Sequence, residues 1–357
     1  MAHAMTVRGP VSPSALGPTL THEHIFCDFT CFLLPPQNEA ERRFMEEPVT
    51  LQNLWSMRVN PYANRDECRL TDMDTALEEL AVFKAAGGRT ITEVTLEGIG
   101  RDVRRLAEVS RRTGLHIICG TGHYIDPTLP DYVRAASADQ LAAQYIAEIR
   151  NGLDGTDIRP GVIGEIGTSY LMTQDEVKVL RAAARAQRET GLAITIHLDP
   201  GARRGHEVLD ILVKEEGVSP DKIILGHLDF ALAHKDIEFD EGVDYIVSLG
   251  NRGCYLEFEL CGNTTVYKKE QGSWVLPTDL QRTVAIRRLC GRGFADRILL
   301  SHDQGLKHFL RKYGGWGYSH VLTDFQRYLA EAGLEPHTCR LFNVDNPARV
   351  LAIDRDA

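Results

Sequence analysis

The sequence predicts an α/β fold, a (β/α)8 TIM barrel, from three observations. Eight short apolar runs, many bounded by glycine, alternate with longer segments of helical period, the pattern of parallel strands buried on both faces. Side chains able to hold metal recur at the carboxyl ends of those runs, the rim on which barrel active sites are built. The length of 357 residues suits one barrel, which takes about 250 residues before insertions. A doubly wound open sheet is the alternative, but it normally grips its ligand through a glycine-rich first turn, and the turn after Phe26 has no glycine. One domain over residues 1–357 is therefore expected, with a loop insertion at about 28–70.

The first strand covers residues 20–26 and places His22 and His24 two apart. Side chains two apart on a strand share a face, so both imidazoles can meet one metal ion while Thr21 and Glu23 point the other way. Beyond Asp28 the composition is mixed, with Pro35, Pro36 and Trp55, and reads as a long loop with helical patches over one end of the fold. Leu77, Leu80, Ala81 and Phe83 fit a helix stopped by Gly87 and Gly88, and residues 89–95 form the second strand. A helix from Arg101 ends at Gly114, ahead of a third strand at 115–119. Ser137 and Gln140 form a capping box before a helix bearing Leu141, Tyr145 and Ile149, and the fourth strand is 161–166. Thr173 and Glu176 form a second box, opening a helix to Gly191 and a fifth strand at 193–197. Val208, Leu209 and Leu212 mark the next helix; strands at 222–227, 255–258 and 297–303 complete the eight.

Composition narrows the function. Hydrophobic residues at 43% and charged residues at 25% are those of an ordinary soluble globular protein. A formal charge of −10 without a dense Lys/Arg run argues against nucleic acid as a partner, while leaving room for a small anionic substrate. Neither a signal peptide nor a membrane span is recognisable, so a cytoplasmic protein acting on a small molecule is expected. The eight cysteines form no Cys-x-x-Cys pair and read as reduced, mostly buried thiols.

Glu165, His197, His227 and Asp303 all fall at strand ends. Glu165 and His197 are 32 positions apart and His197 and His227 are 30 apart, one βα unit each time, with Asp303 two units later. With His22 and His24 they make four imidazoles and two carboxylates on one rim, enough for two divalent ions if one carboxylate bridges them. His302 has the opposite strand parity to Asp303 and should face the helices, and His116 and His234 have no place in the pattern.

The stretches THEH at 21–24, GIGRD at 98–102, GTGHY at 120–124, GEIG at 164–167, IH at 196–197, GHL at 226–228 and SHD at 301–303 resemble the phosphotriesterase family of the amidohydrolase superfamily across nearly the whole chain. The resemblance implies two metal ions, commonly zinc, held by His22, His24, a bridging Glu165, His197, His227 and Asp303. Many members bridge with a carboxylated lysine instead; the glutamate here, with KYGGWGYSH at 312–320, resembles the branch called phosphotriesterase-related proteins. The lactonases carry an arginine where Leu260 aligns, which argues against acyl-homoserine-lactone hydrolysis and efficient phosphotriester hydrolysis. Relatives are often dimers, so a homodimer is expected.

The expected chemistry is attack of a metal-bridging hydroxide on a carbonyl carbon, with Asp303 taking the proton and returning it to the leaving group. Tyr124 is either a hydrogen-bond donor to the oxyanion or a packed aromatic of the rim. Arg203 either binds an anionic group of the substrate or is a solvated helix-entry residue. Lys307 and His320 are further candidates, and Gly314 and Gly315 make their loop a candidate lid. An amide, ester or lactone is the expected substrate, and a small N-acyl amino or sulfonic acid if Arg203 faces the site. Phosphotriester or phosphoric-ester hydrolysis is the second reading, and a non-catalytic barrel that holds a small ligand is the third.

Overall fold

In the computed structural model, eight strands pair in parallel in the order in which they occur along the chain. They are β1 (Thr19–Glu23), β2 (Thr90–Glu93), β3 (His116–Thr121), β4 (Val162–Gly167), β5 (Ala193–His197), β6 (Ile223–Leu225), β7 (Tyr255–Phe258) and β8 (Ile298–Leu300). The first and last strands approach through the Asp303 N–H, which donates to the His22 carbonyl at 3.3 Å, and the His22 N–H, which donates to Ser301 Oγ at 3.1 Å. The result is the TIM barrel expected from the alternation of elements. The structure describes residues 2–233, 236–269 and 272–354, so His234 lies outside the described residues.

The eight strands are followed in turn by the helices α1 (Met73–Ala85), α2 (Val103–Thr113), α3 (Ala138–Asn151), α4 (Gln174–Thr190), α5 (Gly205–Leu209), α6 (Phe239–Gly250), α7 (Asp279–Gly291) and α8 (Asp324–Glu331), with shorter helices in the loops. Their starts are written into the sequence. Asp72 and Asp102 accept the Thr75 and Arg105 N–H groups, and the two anticipated capping boxes are joined by a third at Thr278 and Gln281. Among the described residues, no helix is long and apolar enough to cross a membrane.

Two apolar layers hold these elements. Outward strand residues such as Ile91, Ile117, Ile163 and Ile194 pack against helix residues such as Leu80, Leu106, Leu141 and Leu180. A second cluster takes one residue from each of six strands, Ile118, Val162, Ala193, Ile224, Tyr255 and Leu299, and fills the barrel interior. Ala4 and Leu16 join it, so the unanticipated hairpin of Ala4–Thr6 with Gly9–Val11 plugs the amino-terminal end. With that end sealed, the polar residues that end the strands share the opposite mouth. All eight cysteines are free thiols, six of them buried.

The segment after β1 is more ordered than its composition suggests. Cys27–Asp28 pairs antiparallel with Arg69–Leu70, clamping the base of an excursion that holds the helices Glu39–Glu46 and Leu54–Val59. Its first ring, Phe29, lies 4.9 Å from the ring of His24. The excursion therefore covers the carboxyl ends of the strands.

Candidate active site

Each element delivers its polar residue to one point. His22 lies in β1 and His24 just after it; Glu165 lies in β4, and His197 ends β5. His227 and Asp303 sit beyond β6 and β8 with φ of 58° and 54°. That left-handed geometry, which Asp and His tolerate better than most residues, ends each strand early and turns the side chain inward.

The six side chains meet around Glu165. Its Oε1 lies 3.2 Å from His24 Nε2, while its Oε2 lies 3.2 Å from His197 Nδ1 and 3.4 Å from His22 Nε2. Asp303 Oδ1 stands 3.2 Å from His24 Nε2, and His227 Nε2 lies 2.6 Å from His197 Nδ1. Three sets of possible ligands result: His22 with His24 and Asp303, Glu165 with His197 and His227, and His22 with Glu257 and Glu259.

The donor set fits divalent metal ions. Both ring nitrogens of His22, Nε2 of His24 and Oε1 of Glu165 are buried without a hydrogen-bond partner, which is costly unless a cation faces them. The electrostatics agree. Burial opposes charge on His24, yet Asp303 and Glu165 beside it raise its pKa to about 9. His22 is raised too, against burial, chiefly by Glu165. Burial works against ionised Glu165 and Asp303 as well, but the surrounding imidazoles hold both below the ordinary carboxylate range. Protons and metal ions compete for such nitrogens.

Behind these residues stand partners that the sequence reading passed over. Glu257 Oε2 lies 3.6 Å from His22 Nδ1, and Glu259 Oε1 lies 2.6 Å from His227 Nδ1. His24 Nδ1 meets Thr95 Oγ1 at 2.8 Å, and that hydroxyl donates to Glu93 at 2.6 Å. Aiming an imidazole by its far nitrogen orients the near one for metal. The signal available was Glu-x-Glu at the end of the otherwise apolar seventh strand, Glu257 within it and Glu259 just beyond, where alternate residues share a face.

Tyr124 is buried at the cleft, with its Oη 3.0 Å from His197 Nδ1. Burial pushes its phenol well above the ordinary value, so it stays protonated. Arg203 does not line the main cleft: its guanidinium is 3.0 Å from Glu241 and stacks 4.3 Å from the centre of Tyr245. A φ of 45° at Arg203 turns the chain there. Lys307 pairs with Asp66 at 2.5 Å, and His320 with Asp279 at 2.6 Å, both away from the cleft. Gly315 packs against the backbone of His308 and Phe309, leaving no room for a Cβ. His302 turns away from the cluster, with Nδ1 2.8 Å from Glu23.

The cleft above the cluster is lined by Phe29, Phe32, Tyr62, Tyr124, Phe230 and Tyr267, together with Leu260 and Asp303. Most of these rings come from loops that no periodicity marks.

Residues 2–351 match the profile of the phosphotriesterase family. The chain is 39% identical to an N-acetyltaurine hydrolase of Rattus norvegicus over 351 residues, covering 97% of each. It is 35% identical to a phosphotriesterase-related protein of Nematostella vectensis over 347 residues, covering 96% of this chain and 97% of the other. Among solved structures, a resiniferatoxin-binding protein from Rhodobacter sphaeroides superposes with a TM-score of 0.93 at 39% identity, covering 98% of this chain and 94% of that one. Matched over almost its whole length, the chain belongs to the phosphotriesterase family.

Proposed function

We propose that this hydrolase cleaves the amide bond of a small N-acyl amino or sulfonic acid, using two divalent metal ions, zinc foremost, held by His22, His24, Glu165, His197, His227 and Asp303. The observation that carries the reading is the place of Glu165, whose two oxygens face His24 on one side and His197 on the other. Support for an amide comes from the relative at 39% identity, which is named for hydrolysing one.

When bound, such ions polarise a carbonyl and make water acidic enough to lose a proton near neutral pH. The chain's own residues do the rest. Asp303 keeps 19% of its side chain exposed whereas Glu165 keeps 1%, so Asp303 is the carboxylate that can reach a reacting water. It takes the proton and passes it to the leaving nitrogen, which departs poorly unless protonated. Tyr124, kept as a neutral phenol, donates to the oxygen on which charge develops.

Assays of N-acetyltaurine, N-acetyl amino acids, lactones and a phosphotriester on zinc-loaded protein test the reading, with amine release as the main readout. Asp303→Asn should cut amide turnover by about 10²- to 10⁴-fold. A phosphotriester cleaved faster than every amide would overturn the proposed bond, and full turnover in Asp303→Asn would remove that residue from proton transfer.

A further inference from the structure

We infer that Glu23, the residue between the two histidines of β1, is a positioning residue: its carboxylate fixes the turn that presents Asp303 to the leaving nitrogen. This rests on the proton-transfer role given to Asp303 above.

β1 divides its side chains between two tasks. His22 and His24 face Glu165 and Asp303, while Glu23, of opposite parity, is fully buried on the far side. There it meets four donors, all from the segment that leaves β8. Its Oε1 accepts the Ser301 hydroxyl at 2.8 Å and the His302 N–H at 2.9 Å, and its Oε2 accepts the Gln304 N–H at 3.0 Å. The His302 ring is the fourth. Its Nε2 accepts the Val321 N–H at 3.0 Å, so the ring proton sits on Nδ1 and is donated to Glu23 Oε1 at 2.8 Å.

The two peptide N–H groups held by Glu23 are those on either side of Asp303. The Asp303 N–H itself reaches the His22 carbonyl at 3.3 Å, so residues 22 and 23 fix three successive N–H groups. Asp303 needs such a hold, because its φ of 54° is a conformation that residues other than glycine seldom adopt. The remaining ties of this segment act on side chains: Val321 on the His302 ring, and the Gly317 carbonyl on Gln304 Nε2 at 3.0 Å. Glu23, His302 and Gln304 are all buried, so a lost carboxylate oxygen leaves an N–H unpaired rather than solvated.

The consequence falls on proton transfer. Asp303 must reach both the reacting water and the leaving nitrogen, and a displacement of about 1 Å in such a group can cost about 10²-fold in rate. Glu23 does not line the cleft, so it acts on the substrate through the turn alone.

A double-mutant cycle on zinc-loaded full-length protein tests this, run on the best substrate of the panel above. Glu23→Gln keeps an acceptor for one side of the turn and sets an NH₂ group against the other. Glu23→Asp keeps the charge on a side chain one CH₂ shorter and goes through the same cycle, which covers a Glu23→Gln that does not fold. With zinc content equal to wild type, each should lower kcat at least tenfold while KM changes less than threefold. In the Asp303→Asn background the same substitution should cost less than twofold, because the group it positions is already gone. A merely structural role would cost the same factor in both backgrounds, and that result would overturn the inference, as would a kcat within twofold of wild type. Full turnover in Asp303→Asn alone would sink the proton-transfer reading and the inference with it, whereas equal losses in the two backgrounds sink the inference only. Should no substrate turn over, crystal structures of zinc-loaded wild type and the folded variant decide: a displaced Asp303 carboxylate supports the inference, and an unmoved one overturns it.

Discussion

Glu257 shows how one buried side chain can serve metal binding at the expense of stability. His22 turns Nε2 toward Glu165 and Asp303, so its ring proton belongs on Nδ1, and Glu257 faces that atom. Yet both carboxylate oxygens of Glu257 lack a hydrogen-bond partner in a fully buried setting, a costly arrangement. Glu257→Leu should therefore raise the melting temperature of the metal-free protein while weakening metal affinity by about 10- to 100-fold. Glu257→Gln, which keeps an acceptor oxygen, should retain most of that affinity. Competition with a chromophoric chelator measures both; an unchanged affinity in Glu257→Leu would assign the carboxylate no part in holding His22. The six side chains that the structure brings together were legible because each recurs at a fixed place in a βα unit. Glu257 and Glu259 were not, because they lie in and just after β7, outside the run of strand-end ligands, and no spacing rule singles them out. For Arg203 the sequence left two readings open: position along the chain says nothing of the left-handed turn that sends its guanidinium to Glu241, beside a small pocket that Arg203 lines with His227 and Phe230.

At the scale of elements, the eight strands and their helices were readable because hydrophobic period and capping residues agree. Strand ends were less so. β6 and β8 stop at Leu225 and Leu300, short of the anticipated 227 and 303, because His227 and Asp303 adopt positive φ. The excursion after β1 was legible as a loop with helical patches over one end of the fold, but not in its strand pairing or its anchoring, since those come from contacts distant in sequence. His308 is the chief of these. Its ring Nδ1 and backbone N–H both meet Glu67 of the excursion, and its Nε2 meets Thr265 of the loop after β7 at 2.8 Å. His308→Ala would strand a buried carboxylate and a buried hydroxyl. We expect a loss of about 2–4 kcal/mol in unfolding free energy, read from urea denaturation. The six ligands themselves are untouched, so zinc stoichiometry should persist in the folded variant. A loss below about 0.5 kcal/mol would mean that the excursion is held elsewhere.

For the whole molecule, the barrel gathers four imidazoles and two carboxylates at one end while an apolar plug seals the other, so metal binding and folding are coupled. A ligand that binds only the folded chain stabilises it by about 2.7 kcal/mol at a hundredfold excess over Kd. Chelation should lower the melting temperature and added zinc restore it. The pH dependence has a definite sign. In the metal-free protein the pKa of His24 is raised from 6.5 to about 9. Its proton therefore stabilises the fold fully below about pH 6.5, and that contribution is lost as the pH rises through about 9. Over the same interval the proton ceases to compete with the metal for Nε2. Both effects widen the gap between the metal-loaded and metal-free proteins, so the rise in melting temperature on adding zinc should be larger at pH 8.5 than at pH 6.5. Calorimetry in buffers of different ionisation enthalpy should register proton release on zinc binding at the lower pH. If zinc shifts the melting temperature equally at both values with no proton released, His24 is not a ligand of the bound ion.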